Sequence, residues 1–185
     1  MATATLGDEF DIVLGAARAG ESWAFERLFH LVAQPLVGYF RAQGSPDPDG
    51  LANETLLRAF RGIARFEGPA VAFRAWVFSI GHCRLVDERR AAARRPLCGP
   101  LSAATDVIGD AEADAFDRLG DDWVHATLDT LAPDQRDVLL LRVVADLDIA
   151  QVAAALGKTP GAVKALQHRG LAALRRKLSA EAVSI

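Results

Sequence analysis

Three features of the chain predict an all-α fold made of two small helical domains. Apolar residues recur at helical spacing along most of its length, and no stretch alternates with the period of two that a half-buried strand needs. Breaker clusters, "GSPDPDG" at 44–50 and "FEGPAVA" at 66–72, cut this pattern into helix-sized pieces. An acid-rich stretch then separates residues 1–95 from residues 123–185.

The elements follow in order. A short helix over about 8–19 precedes a longer one from Ser22, its N-cap, to about Gln43. That helix places Leu28, Phe29, Val32, Leu36, Tyr39 and Phe40 at apolar positions, and Pro35 inside it predicts a bend. A third helix spans about 51–64 and a fourth about 73–93, with Phe73, Trp76, Val77 and Ile80 on one stripe. Together they form a bundle over 1–95. Residues 96–122 read as a linker, because Thr105–Asp122 carries seven acids against one arginine and little apolar periodicity. Helices over about 123–130, 133–145, 149–156 and 160–178 build the second domain, with Pro133 and Pro160 suited to first turns.

Composition limits the class. Half of the chain is apolar, at 51%, which suffices for helical cores, and its formal net charge is -3. No apolar run approaches the roughly 18 residues of a membrane span, so no membrane insertion is expected. The opening "MATATLGDEFDIV" lacks the basic and apolar regions of a signal peptide, which predicts a cytoplasmic protein. Cys83 and Cys98 fit a compartment where structural disulfides are rare. No CxxC or HxxxH spacing exists and His30, His125 and His168 stand apart, so neither a metal nor another cofactor is expected.

The sharpest local pattern lies in "DIAQVAAALGKTPGAVKAL", 148–166. Asp148 can cap a short helix with Ile149, Val152, Ala153 and Leu156 on its apolar face. Gly157 then supplies a left-handed turn, and a second helix starts at Pro160 with Val163 and Leu166 facing the first. That spacing is what a helix-turn-helix needs: a small residue at the crossing, a glycine at the turn and two apolar residues to seat the second helix. The stretch from Gly157 to Leu178 carries six lysines and arginines and no acid. Lys158, Lys164, Arg169, Arg175, Arg176 and Lys177 would neutralise phosphates along a duplex. Winding at 100° per residue puts Val163, Gln167, Gly170 and Leu174 inward and Ala162, Ala165, Arg169, Ala172 and Arg176 outward. Arg169 is placed to donate to a base edge; the alanines either meet thymine methyls or permit close approach.

A second constellation interleaves Arg58, Arg61, Arg65 and Arg74 with Phe60, Phe66, Phe73 and Trp76 around a Gly-Pro loop. Arginine and aromatic groups together can hold an unstacked base. Helical spacing favours a core role for Phe60, Phe73 and Trp76, whereas Phe66 lies in the loop. Five arginines follow between Arg84 and Arg95, against Asp87 and Glu88.

These residues resemble a family. "GLANETLLRAFRGIARFEG" with "FRAWVFSIGHCRLVDERR" is similar to the second conserved region of bacterial sigma factors of the extracytoplasmic-function (ECF) group, and "LDTLAPDQRDVLLLRVVADLDIAQVAAALGKTPGAVKALQHRGLAALRRKL" to the fourth. The resemblance implies a non-enzymatic, two-domain initiation factor that binds core RNA polymerase and promoter DNA, with an anti-sigma factor as a further partner. It implies that Asn53, Glu54, Thr55, Arg58 and Phe60 dock on the β′ clamp helices and that the last domain touches the β flap. Arg65, Phe66, Cys83, Arg84, Asp87 and Arg90 fall at positions that open and read the −10 element. Lys158, Thr159, Ala162, Lys164, Ala165, Arg169 and Arg176 fall at positions that meet the −35 element. The chain departs from the usual pattern at Gly50, Asn53, Glu67, Cys83, Ala162, Ala165 and Leu166.

Two other classes compete. A helix-turn-helix repressor or activator with an N-terminal sensor or dimerisation domain shares the C-terminal motif, but has no need of the arginine–aromatic stretch. An enzyme finds no Gly-rich phosphate loop, HExxH or nucleophile context in this sequence. The acidic linker is expected to thread basic polymerase channels, and in the free chain to shield the basic helices.

Overall fold

The computed structural model describes residues 9–94 and 123–182. Among them are eight α-helices and no strand. They are α1 (Phe10–Arg18), α2 (Ser22–Ala42), α3 (Pro48–Gly62), a 3₁₀ turn (Ile63–Arg65), α4 (Ala70–Arg94), α5 (residues 123–128), α6 (Pro133–Val143), α7 (Ile149–Leu156) and α8 (Pro160–Ala182). The acidic stretch, with Cys98, lies outside the described residues, so its expected shielding role has no structural account here.

In the first group, α2, α3 and α4 pack mutually, and α1 closes the open side of α2. Phe10, Leu28, Leu36, Tyr39, Phe40, Phe73, Val77 and Phe78 are fully buried at its centre. Local chemistry adjusts several predicted boundaries. Ser22 is the first helical residue rather than the cap, and Glu21 stands at the N-cap without a side-chain bond. The Asp47 carboxylate accepts from the Gly50 N–H at 2.9 Å and Pro48 takes the first turn, so α3 starts three residues before Leu51. Phe29, expected inside, is 38% exposed; its neighbour Leu28 takes the inward position. α2 continues through Pro35.

In the second group, α6 and α7 both pack on α8. Val138, Leu141, Leu147, Val152 and Val163 form its core. Asp148 and Gln151 exchange side-chain and backbone bonds in a capping box, each at 2.8 Å. Gly157 then turns the chain with φ 62°. The crossing of α8 over α6 is tight at Gly170, where a Cβ would stand 2.8 Å from Leu139 Cδ1. Val163 and Gly170 are buried and Gln167 and Leu174 half-buried, as the helical winding predicts.

The two groups also touch. α7 lies against α4, and α6 reaches the C-terminal end of α2.

The left-handed turn gives a direct expectation. Gly157→Val should destabilise the α7–α8 turn by about 1–2 kcal/mol, the cost of a side chain in that backbone region, whereas Gly157→Asn should cost less. Hydrogen-exchange protection of the α7 amides in the full chain measures the difference.

Candidate nucleic-acid interface

The outward face of α8 is built by what its inward face must bury. With Val163 and Gly170 turned to α6 and α7, the exposed residues are Ala162, Lys164, Ala165, His168, Arg169, Arg175 and Arg176. Thr159 caps the helix, its hydroxyl accepting from the Ala162 N–H at 3.2 Å. Its side chain therefore has a structural task at the helix start. The Arg169 Nε donates to the Ala165 carbonyl at 3.3 Å. Lys158 pairs with Asp134 of α6 at 2.9 Å, tying the turn to the bundle. Of the predicted basic residues, Lys164, Arg169, Arg175 and Arg176 are exposed, with Ala162 and Ala165 exposed near the helix start, whereas Lys158 and Lys177 are half-buried.

The arginine–aromatic stretch divides differently from expectation. Phe66 is only 7% exposed; it stacks on Trp76 with ring centroids 5.1 Å apart and meets Phe73 edge-on at 5.5 Å. The Arg18 guanidinium donates to the Phe66 carbonyl and holds the loop against α1. Phe66, whose role the sequence leaves undecided, is thus a packed aromatic, because Trp76 and Phe73 offer it an apolar wall. Beside it a cleft of about 670 Å³ is lined by Gly62, Arg65, Phe66, Glu67, Ala72 and Trp76. It has the dimensions of a small-ligand site, with an aromatic wall and one charge of each sign at its rim.

Further along α4, Cys83, Asp87 and Arg90 are exposed on one side, with Arg90 and Asp87 paired at 3.8 Å. Arg84 pairs with Glu54 of α3. This joins one residue from each of two predicted sets, since Glu54 was placed with the docking residues and Arg84 with the DNA readers. The pair sits in a groove with Asp47, Leu51, Asp87 and Arg94.

On α3 the outward stripe is Asn53, Glu54, Leu57, Arg58 and Arg61. Two predicted members do not belong to it. Thr55 is fully buried and its hydroxyl donates to the Leu51 carbonyl at 2.8 Å, so it faces the core and is corrected out of the docking face. Phe60 is half-buried against Phe25, edge-on at 5.2 Å. Sequence reasoning missed Leu57, which is 54% exposed amid charged neighbours. The signal available was a leucine out of phase with the buried Leu51, Leu56 and Ala59.

Where the two groups meet, a polar cluster joins the packing of α7 on α4 and of α6 on α2. The Gln43 amide donates to the Asp137 carboxylate at 2.7 Å and to the Tyr39 hydroxyl at 3.4 Å. Arg89 donates to both the Gln43 carbonyl and its side-chain oxygen, at 2.7 and 2.8 Å. The Tyr39 hydroxyl lies 3.1 Å from His82 Nδ1. Gln151 of α7 donates to the Val71 carbonyl of α4 at 3.3 Å.

Residues 25–95 match the family model described as Sigma-70 region 2, and residues 121–174 match that described as Sigma-70, region 4. These two regions, in this order, define a sigma factor of the sigma-70 family. More narrowly, the chain belongs to the ECF RNA polymerase sigma factors. It is 30% identical over 187 residues to SigD of Mycobacterium tuberculosis, an alignment covering 94% of this chain and 86% of that protein. It is 30% identical over 170 residues to BldN of Streptomyces coelicolor, covering 90% of this chain but 64% of that protein, so it spans slightly less than two thirds of BldN. CnrH, solved in complex with the cytosolic domain of CnrY, is similar with a TM-score of 0.72 and 26% identity, covering 94% of this chain and 99% of that one. RpoE of Bartonella quintana, solved with the anti-sigma factor NepR, shares the fold at a TM-score of 0.56 and 19% identity.

The polar cluster carries a pH expectation. Burial pushes the His82 imidazole below its ordinary 6.5, Arg89 and Lys158 adding to the effect and Asp137 and Asp134 opposing it. The Tyr39 phenol is pushed far up, first by burial and then by Asp137, and keeps its proton. The unfolded chain therefore binds more protons than the folded one just below pH 6.5. Stability from this site is complete above that pH and declines as pH falls through it. Urea midpoints at pH 7.5 and 5.5 should differ less in His82→Gln than in the native chain.

Proposed function

We propose that this sigma factor binds core RNA polymerase and brings it to promoters with two reading surfaces on two domains, residues 1–95 and 123–185, joined by the linker 96–122. The observation carrying this reading is the exposed basic face of α8, set on a capped, glycine-turned helix-turn-helix. In the major groove at the −35 element, Lys164, Arg175 and Arg176 would neutralise phosphates while Arg169 addresses a base edge. The cleft beside Phe66 and Trp76 would receive an unstacked −10 base, with Cys83, Asp87 and Arg90 along the same strand. Asn53, Glu54, Leu57 and Arg58 would meet the β′ clamp helices, with Leu57 as the apolar centre of a polar stripe. The β flap would take the second domain. Opening of DNA then draws on binding energy, with no covalent chemistry by this chain, in the cytoplasm where polymerase works.

CnrH is held by the cytosolic domain of CnrY. By family likeness, we propose an anti-sigma factor as the further partner of this chain.

Transcription in vitro with purified core polymerase and a promoter library tests the reading. Promoter-specific transcripts that depend on this protein are expected; failure to bind core polymerase would overturn it, and tight binding of the isolated chain to a palindrome would favour a repressor instead. Arg169→Ala should weaken a defined −35 element by about 1–3 kcal/mol while barely changing binding to unrelated DNA. Equal loss on every sequence would exclude base reading. Leu57→Asp should weaken core-polymerase binding by on the order of 2 kcal/mol and leave duplex affinity of the free chain intact, both measurable by titration.

A further inference from the structure

We propose that the cleft beside Phe66 and Trp76 is built for a guanine, with Glu67 as the side chain that selects it. The inference rests on the sigma-factor reading above, which brings an unstacked base of the −10 strand to this cleft.

A carboxylate is out of place at a site for a polyanion unless it meets a base. Glu67 and Arg65 are both exposed and both line the cleft. Among the described residues, neither side chain has a hydrogen bond or an ion pair. Phosphate oxygens repel a carboxylate, so Glu67 has no use along the sugar–phosphate backbone. As an acceptor without donors, it suits the donor edge of a base.

The loop holds this carboxylate in place. Phe66 is extended, with φ -75° and ψ 133°, which turns Arg65 and Glu67 to the same side of the chain while Phe66 packs on Trp76. The Arg18 guanidinium holds the Phe66 carbonyl, and with it the peptide plane that leads into Glu67. Gly68 follows at φ 136°, where a Cβ would stand 3.1 Å from that of Ala72, so the chain can turn into α4 directly after Glu67. Gly62 also lines the cleft, and a Cβ there would stand 3.3 Å from Trp76 Cζ2; the glycine leaves that ring edge uncovered. An aromatic wall thus stands beside an acceptor pair and a donor fork, whose backbone attachments are about 6.6 Å apart.

Bases differ in what they offer such a pair. Thymine has one ring N–H flanked by two carbonyls, so a carboxylate oxygen meets a like partial charge on either side. Adenine and cytosine each present an amino group next to a ring nitrogen lone pair, which satisfies one carboxylate oxygen and opposes the other. Guanine carries N1–H and N2–H side by side, which take both oxygens of Glu67. Its O6 and N7 accept from the Arg65 fork. Guanine therefore satisfies both side chains together while its ring face stacks on Trp76.

Holoenzyme assembled from this chain and core polymerase, titrated with forked promoter DNA, tests the assignment. Each nucleotide of the single-stranded −10 segment is replaced in turn by an abasic one, then by each base. One position should need a base, and there guanine should bind at least about tenfold tighter than adenine, cytosine or thymine. Inosine, which lacks the N2 amino group, should lose most of that advantage with the native chain. Glu67→Gln keeps the side-chain size but removes one acceptor and the charge. With it, guanine and inosine should bind within about twofold of each other, and affinity for core polymerase should stay native. Preference for another base at that position, or a guanine preference that survives Glu67→Gln, refutes the proposal and leaves the sigma-factor reading standing. A fall in core-polymerase affinity in the variant places Glu67 on the docking face and refutes it too. Tolerance of an abasic nucleotide at every position shows that no base is captured, and the reading of the cleft fails together with the proposal.

Discussion

The Asp137 carboxylate, 8% exposed, lies at the seam between the two helical groups and constrains how α6 meets α2. A charge that far from water must be matched by donors, and here the match is the Gln43 amide at 2.7 Å. Gln43 is itself held by Arg89 at two atoms and by Tyr39, so its amide has one usable orientation. Tyr39 ties the cluster to the apolar core, edge-on to Phe78 with centroids 5.7 Å apart. This chain of fixed groups ties α6 to the end of α2.

What could be read from the sequence was local. The helix-turn-helix was legible because each determinant acts within a few residues: a cap at Asp148, a left-handed glycine at 157, small residues at the crossing, apolar residues at 152 and 163. The charge segregation on α8 was legible because a helix converts spacing directly into direction. Thr55 was misjudged because a threonine amid polar residues reads as surface, whereas its hydroxyl is satisfied by the Leu51 carbonyl of its own helix and its methyl suits a core. Phe66 was left open because loops give no periodicity, and only the fold brings Trp76 within stacking distance. Gln43 and Asp137 were beyond reach: 94 positions separate them, and nothing near either one marks it as buried.

The same contrast explains why the chain as a whole is acidic while α8 is strongly basic. A helix that follows phosphates gains from undiluted charge, because mixed signs would hold counterions in place instead of releasing them. α3 follows a different rule. Its outward stripe mixes Glu54, Arg58 and Arg61 around one leucine, as suits a protein partner, where polar residues ring an apolar anchor. The ion pair between Glu54 and Arg84 sits between these surfaces, and its exposure makes it a weak and exchangeable link.

The polar part of the seam is built from groups that water can take back. An apolar contact of the kind that holds α2 to α4 would keep the halves together at all times, since separating it exposes hydrocarbon without compensation. A carboxylate, an amide and a guanidinium lose less on separation, because each regains hydrogen bonds to water as it leaves its partner. The burial of Asp137 works in the same direction: removing its partners leaves a desolvated charge, so a half-open state is less favourable than either the closed or the fully hydrated one.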